Sequence, residues 1–406
     1  MPKLFATRFV YQYVERPSLK RLKLYLFIEQ STNPHVQIHT YCEYRSTGEK
    51  SSELEVILEA DEYLSPLLQR ALAIALKPNS FKIFQDVPTV LPTNRQVVQI
   101  LPYEKIVFPH IMENSMTSLA NAYVIRKALI RKHHLWQTVV TWWTKHPGDF
   151  ALKGHVPLTV NFELDYAEFL DEALQECWEL TRSFAEEEKQ WWILKPSMSD
   201  QGQGVRLFSS EEELRAIFEE WEENDQEEDL ISEEENTPFT TNSTLRMGAG
   251  TMTSQLRHFV AQRYIDRPLL FGEYDRRKFH IRSYVLAVGA LRVYLYRDML
   301  TLFASQPYSR DGDFQQASTL QETHLTNTCL QPGHAKGNSV VRFWDLPVGK
   351  GLLHHDWKDQ ALQQIEAATA ALFEAAVREQ MVHFQALPNA FEVFGIDWLV
   401  DERGNV

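Results

Sequence analysis

The run Ile193-Leu194-Lys195-Pro196-Ser197-Met198-Ser199-Asp200-Gln201-Gly202-Gln203-Gly204-Val205 leads from an apolar stretch into a loop with two glycines. Gly202 and Gly204 let backbone N–H groups come close to an anion, and Lys195 adds a point charge where the apolar stretch ends. Gln201 and Gln203 complete the loop. A second segment, Arg276-Arg277-Lys278-Phe279-His280-Ile281-Arg282, spaces Lys278, His280 and Arg282 by two. In a strand that spacing puts the three on one face, with Phe279 and Ile281 buried on the other. A lone pair of glycines is common in turns. Two cation-bearing segments together are harder to explain without an anion, because clustered cations repel unless they are solvated or face one. Their joint chemistry is the binding of a triphosphate and the stabilisation of charge on a transferring phosphoryl group.

The elements that must position these residues can be read from periodicity. Residues 1–120 mix short alternating runs (22–28, 36–44) with a helical stretch at 64–76 and proline-bearing loops, and read as a small α/β domain. Residues 118–144 and 165–178 have helical spacing. Strands are expected near 191–195, 259–264, 279–288, 291–296 and 391–399, with a helix over about 358–385. The whole reads as a three-part α/β architecture with subdomains at 1–120, 121–257 and 258–406. Between Glu219 and Glu235 there are eleven acidic residues and no Lys or Arg, followed by a Ser/Thr/Gly-rich run. That composition predicts a solvated, disordered insertion over about 219–254.

The chain has 406 residues, 44% apolar and 24% charged, which is ordinary for a soluble globular protein. Its net charge of −14 is concentrated in the acidic tract, so the rest is nearly neutral. No basic stripe interleaved with aromatics stands out, which argues against direct nucleic-acid binding. Cys42, Cys177 and Cys329 form neither a disulfide framework nor a zinc pattern. No segment reaches the roughly 18 uninterrupted apolar residues of a membrane span, and the N-terminus lacks a signal-peptide core, so a cytoplasmic or nuclear protein is expected.

Five ordered blocks resemble the tubulin-tyrosine-ligase-like family: Lys195 to Val205, Phe259 to Leu270, Arg277 to Leu286, His324-Leu325-Thr326-Asn327, and Phe394-Gly395-Ile396-Asp397-Trp398 onward. The resemblance covers about residues 65–406. It is nearest the fungal branch, whose relatives accompany mRNA-decapping and P-body proteins. It implies an ATP-grasp fold with N-terminal, central and C-terminal subdomains. The activity implied is that of a ligase that phosphorylates a carboxylate with ATP and lets an amine displace the phosphate. The implied cofactors are ATP and Mg²⁺, and the implied partners are an acidic, tubulin-like protein tail or decapping-complex proteins.

Site residues follow from the same resemblance. Lys127 would contact phosphate; on its own sequence it reads equally as part of a solvated basic helix face. Gln262 would begin the hinge beside the adenine, met by backbone groups of Arg263, Tyr264 and Ile265. Lys195 and Lys278 would hold the phosphates, and Arg282 the transferring group or acceptor carboxylate. Arg297 would hold the carboxylate of the incoming amino acid or peptide, or else pair with Asp298. His280 stands where many active ligases have Asp, which puts the acceptor or the ligation step in question. Asp397 would bind magnesium with a Glu and an Asn of the next strand, positions expected beyond Val406. Asp401 to Asn405 reads as a hairpin turn leading to that strand. A binding module without ligase activity is the alternative reading.

Overall fold

The computed structural model describes residues 8–9, 54–199, 202–234, 257–310, 320–326, 339–348 and 354–406. The strands expected at 22–28 and 36–44, together with Cys42, Cys329, Gln201 and residues 235–254, lie outside these. The chain divides into two compact units: Met1–Ile125 with Val285–Tyr294 and Gln385–Phe394, and Arg126–Tyr284 with Leu295–Phe384 and Gly395–Val406. The division expected near residue 120 thus falls at 125. Most of the segments read as central and C-terminal subdomains fall in the second unit, but Val285–Tyr294 and Gln385–Phe394 of the latter belong to the first.

The first unit contains β1 (Arg8–Phe9), β2 (Leu54–Leu58), α1 (Leu64–Ala75), β3 (Phe81–Phe84), β4 (Val97–Ile100), α2 (Phe108–Glu113) and β5 (Ser118–Ala120). Strands β3-β2-β4-β5 form a parallel sheet. Alternation along β2 sends Leu54, Val56 and Leu58 to a core shared with Leu72 of α1, while Ile57 joins Val97 and Ile111 on the other side. In β2 and β4 burial of both faces accounts for the nearly continuous apolar sequence.

The second unit opens with α3 (Lys127–Ile130) and α4 (Lys132–Lys145), then β6 (Thr159–Glu163), α5 (Leu170–Gln175), α6 (Trp178–Phe184), β7 (Trp192–Pro196), β8 (Arg206–Phe208), α7 (Glu211–Glu234) and β9 (His258–Arg263). Strands β6-β9-β7-β8 form an antiparallel sheet. One face carries Val160, Phe162, Trp192, Leu194, Phe208 and Phe259 into a core with Leu214, Ile217, Phe218 and Trp221 of α7. Period-2 alternation therefore turns Ile193 and Lys195 of β7, and Gln262 of β9, to the opposite face.

Helix α7 corrects one expectation. The acidic tract read as a disordered loop is helical from Glu219 to Glu234. Leu214, Ile217, Phe218 and Trp221 fall at helical spacing and are buried, and Phe218 and Trp221 lie 4.9 and 5.9 Å from the Phe259 ring. That apolar stripe anchors the helix, glutamate is a good helix former, and Glu211, Glu212 and Glu213 in the first turn suit its positive end.

Downstream come β10 (Arg277–Val288), β11 (Arg292–Leu295), β12 (Leu300–Pro307), β13 (Val340–Arg342), α8 (Trp357–Glu379) and β14 (Phe391–Trp398). In the second unit the start of β10 pairs with β12, setting Phe279 opposite Phe303 and Arg282 opposite Leu300, and β12 pairs with β13. In the first unit β1 pairs with β11. Phe279 stacks on Phe271, which also meets Trp357 of α8, so the aromatic face of β10 is covered and its Lys278/His280/Arg282 face is left for function. The turn expected at Asp401 forms: Gly404 has φ +87°, and the Asp401 carboxylate accepts N–H bonds from Arg403 and Asn405 at 2.9 and 2.8 Å.

Candidate functional site

The glycine loop between β7 and β8 has the conformation its composition requires. Gly202 and Gly204 sit at φ +83° and +67°, where a side chain would be strained. The hydroxyl of Ser199 bridges Pro196 O and Gln203 O at 3.1 and 2.9 Å. The start of α4 clamps the loop from outside. Lys132 Nζ donates to Pro196 O at 2.9 Å and to Ser199 O, and the His133 N–H donates to Ser197 Oγ at 2.9 Å. In the sequence Lys132 adjoins Arg131 and is indistinguishable from a cation on a solvated helix face. Its position just after a short helix, facing a loop rich in carbonyls, is visible only in three dimensions.

Beside the loop lie the two lysines. Lys195 Nζ donates to Gln262 Oε1 at 2.8 Å, and Gln262 Nε2 donates to Thr159 Oγ1 at 3.0 Å. Burial and the neighbouring Lys132 lower the Lys195 pKa to about 8, against a smaller opposing effect of Asp397. Lys278 is 2% exposed. Its ammonium lies 3.9 Å from the centre of the Tyr264 ring, a cation–π contact. Burial first, then repulsion from Lys195, bring its pKa to about 7 despite Asp266. His324, whose Nδ1 is 2.8 Å from the Tyr264 hydroxyl, is held neutral by burial and by Lys278, with its pKa lowered to about 4. A pair of enclosed lysines whose charges are weakened by burial and by a neighbouring cation is a site short of an anion. It fits the phosphates of ATP.

The third part is an ion-pair cluster. Arg282 donates to both oxygens of Asp397, through Nε to Oδ1 and through Nη2 to Oδ2 at 3.0 Å. Gly395 flanks the arginine, where a Cβ would stand in ordinary van der Waals contact, 3.5 Å from Arg282 Cδ and Nη1. His280, 5% exposed, has Nδ1 2.6 Å from Thr326 Oγ1 and Nε2 3.3 Å from Asp397 Oδ1. Partial enclosure would raise the Asp397 pKa, but hydrogen bonds and charge from His280 and Arg282 outweigh it and hold it at about 2. As arranged, this carboxylate does not fit Mg²⁺. Both oxygens already face cations, and an octahedral ion needs oxygen ligands that are free to turn toward it.

Other expected residues are placed differently. Gln203 is exposed on the glycine loop. Of the hinge N–H groups, those of Arg263 and Tyr264 are committed to Leu158 O and Trp191 O at 2.8 and 2.9 Å, so only the N–H of Ile265 has no partner among the described hydrogen bonds. Gln262 contributes through its side chain, a role that reading it as the start of the hinge overlooked. Lys127 is exposed at the first position of α3. No described contact joins it to the lysine pair. Arg297 forms no described ion pair with Asp298; its guanidinium lies 5.0 Å from the Trp344 ring centre.

Residues 111–406 match the Tubulin-tyrosine ligase family. The chain belongs to that family. Among tubulin-tyrosine-ligase-family relatives, a probable tubulin–tyrosine ligase of Schizosaccharomyces pombe is 43% identical over 355 residues, covering 85% of this chain and 81% of its own length. The probable tubulin–tyrosine ligase PBY1 of Saccharomyces cerevisiae is 40% identical over 314 residues, 75% of this chain but 40% of PBY1. This chain therefore spans less than half of that relative. The C-terminal domain of Kluyveromyces lactis Pby1, described as an ATP-grasp enzyme interacting with the mRNA decapping enzyme Dcp2, superposes with a TM-score of 0.58 at 32% identity, covering 87% of this chain and 83% of that domain. The mixed α/β fold is thus that of an ATP-grasp domain, as the sequence blocks imply. Among the described residues, no helix is long and apolar enough to cross a membrane.

Proposed function

We propose that this chain is an ATP-dependent carboxylate–amine ligase that adds an amino acid to an acidic protein tail. The observation carrying this reading is the pair of enclosed lysines, Lys195 and Lys278, beside the Gly202–Gly204 loop, neither of which forms an ion pair among the described residues. In the reaction a carboxylate oxygen of the acceptor attacks the γ-phosphorus and ADP departs, leaving an acyl phosphate. The amine nitrogen of the added amino acid then attacks the acyl carbon, phosphate leaves, and the nitrogen loses its proton as the amide forms. Lys195 and Lys278 would hold the phosphates, and the N–H groups of the glycine loop would support them. Both stabilise charge where it develops. The acceptor carboxylate would compete with Asp397 for the bidentate guanidinium of Arg282. Arg297 is proposed to take the carboxylate of the incoming amino acid. Mg²⁺, when bound, would supply charge neutralisation at the phosphates; Asp397, with both oxygens on Arg282, is not among the residues that would hold it.

The test is ATP-dependent incorporation of radiolabelled amino acids into glutamate-rich tail peptides. Incorporation that requires ATP and is lost in Lys278→Met supports the reading; none with any amino acid overturns it. A second reading, favoured by the Asp397 pairing and by the likeness to a Dcp2-interacting domain, is a nucleotide-binding module of a cytoplasmic decapping assembly. It would bind ATP and a Dcp2-type partner while leaving every peptide unmodified.

A further inference from the structure

A cavity of about 740 Å³ lies in the second unit, outside the cationic cleft. None of Lys195, Gln262, Lys278, Arg282 or Asp397 lines it. Its floor includes Leu269 and Phe271, each 6% exposed. Phe271 stacks against Phe279 at 5.8 Å, so the floor belongs to the side of β10 opposite the lysine. Val348, 59% exposed, stands at the mouth. The volume falls within the roughly 300–1,000 Å³ of pockets that enclose small ligands.

The charges around this floor are not all occupied. Arg310 is paired with Asp266 at 2.8 Å and Arg267 with Glu402 at 3.9 Å. Arg276 is in no described ion pair. Its backbone is unusual as well. Asp275 and Arg276 are consecutive non-glycine residues at φ +55° and +53°, held there by Arg276 N–H to Phe271 O at 2.9 Å and Tyr308 N–H to Arg276 O at 3.0 Å. Left-handed residues of this kind cost free energy and persist where the surroundings fix them, often at ligand sites. Here the fixed conformation presents a guanidinium outside any described ion pair at the wall of a pocket with an apolar floor and a charged rim that also carries Glu273.

We infer that this cavity is a second binding site, for an apolar molecule that ends in a carboxylate, with Arg276 taking the carboxylate and Leu269 and Phe271 the apolar body. Two sources share that chemistry: the free C-terminus of a peptide with apolar final residues, and a small amphipathic acid. A guanidinium and a carboxylate pair bidentately, and the apolar floor selects what precedes the charge.

Calorimetric titration tests it with N-acetyl-Leu-Phe, the same dipeptide as its C-terminal amide, and octanoate. The expected result is binding of at least one free acid, with the amide weaker by roughly ten- to a hundredfold, the range of a charge-assisted contact. Preference for the dipeptide identifies a peptide end; preference for octanoate, a small acid. Arg276→Gly removes the guanidinium and suits the positive φ, so the fold is retained; it should abolish the distinction between acid and amide. Val348→Trp, which fills the mouth, should reduce binding of both. ATP affinity, measured in the same variants, should stay unchanged. Equal affinity for acid and amide, no binding at millimolar concentration, or an unaltered preference in Arg276→Gly would overturn the assignment. Failure of ATP to bind would count against the ligase reading while leaving this one standing.

Discussion

Binding of ATP should draw protons onto the protein, and the two lysines set how many. In the ligand-free site the pKa values of Lys278 and Lys195 are lowered to about 7 and about 8. A triphosphate between them favours their charged forms, so each must be protonated in the complex. At about pH 8.5 the free site carries roughly 0.3 of the two possible protons, so binding should take up ~1.7 per ATP. Between about pH 7 and about pH 8.5 the affinity should fall roughly sixtyfold, ~2.4 kcal/mol, as charging becomes costlier. The sign for stability is opposite. The unfolded chain holds these lysines near 10.5, so from pH 7 upward it binds more protons than the native state, and ligand-free stability from this pair rises with pH. Calorimetry in two buffers of different ionisation enthalpy counts the protons directly. A flat affinity over this interval with no proton uptake would refute the anion-deficient pair, as would a slope that survives unchanged in Lys278→Met.

Lys278→Met should weaken ATP by roughly 1.5–3 kcal/mol, the size of a charge-assisted contact, and should raise the melting temperature of the ligand-free protein, because a buried cation repelled by Lys195 is gone; thermal scans with and without ATP show both. Phe218→Ala, in the stripe that anchors α7, should cost about 3–5 kcal/mol in urea denaturation. Acidification has its own signature. His133 and His134, stacked with His258 and His383 at ring distances of 4.5 and 4.0 Å, have pKa values lowered to about 4 by burial first and then by one another and nearby cations. Since these folded-state values lie below the unfolded 6.5, stability is intact above about 6.5 and declines as pH falls toward 4. Denaturation midpoints over that interval check it, and His134→Gln should flatten the decline.

The sequence made the chemistry more visible than its supports. Alternation in Lys278-Phe279-His280-Ile281-Arg282 is a strictly local rule, and β10 obeys it, with an aromatic face against Phe271 and Phe303 and a cationic face opposite. The glycines at 202 and 204 were likewise readable, because a positive φ is a property of one residue. Helix α7 was missed for the opposite reason. Its acidic density was weighed over the whole tract, whereas burial of Leu214, Ile217, Phe218 and Trp221 at its start is what settles its structure. Lys132 and the side chain of Gln262 act through partners 64 and 67 residues away in the chain. No spacing rule reports contacts at such separation. The sequence shows Asp397 by its oxygens alone, and its capture by Arg282 depends on a strand 115 residues away in the chain.

Gln262 shows how narrow the choice of residue at one position can be. Its amide holds Lys195 by an acceptor on one side and Thr159 by a donor on the other, so its orientation is fixed by the two bonds. A glutamate of the same length would also reach the lysine, but as a built-in counter-ion it would neutralise the charge a phosphate comes for and leave the Thr159 hydroxyl to find another donor. A leucine would let the lysine swing free. Only an uncharged side chain with both a donor and an acceptor can steer the cation while leaving it unsatisfied. The charge of Lys195 is therefore held in place by a residue whose neutrality is as specific a property as any charge around it.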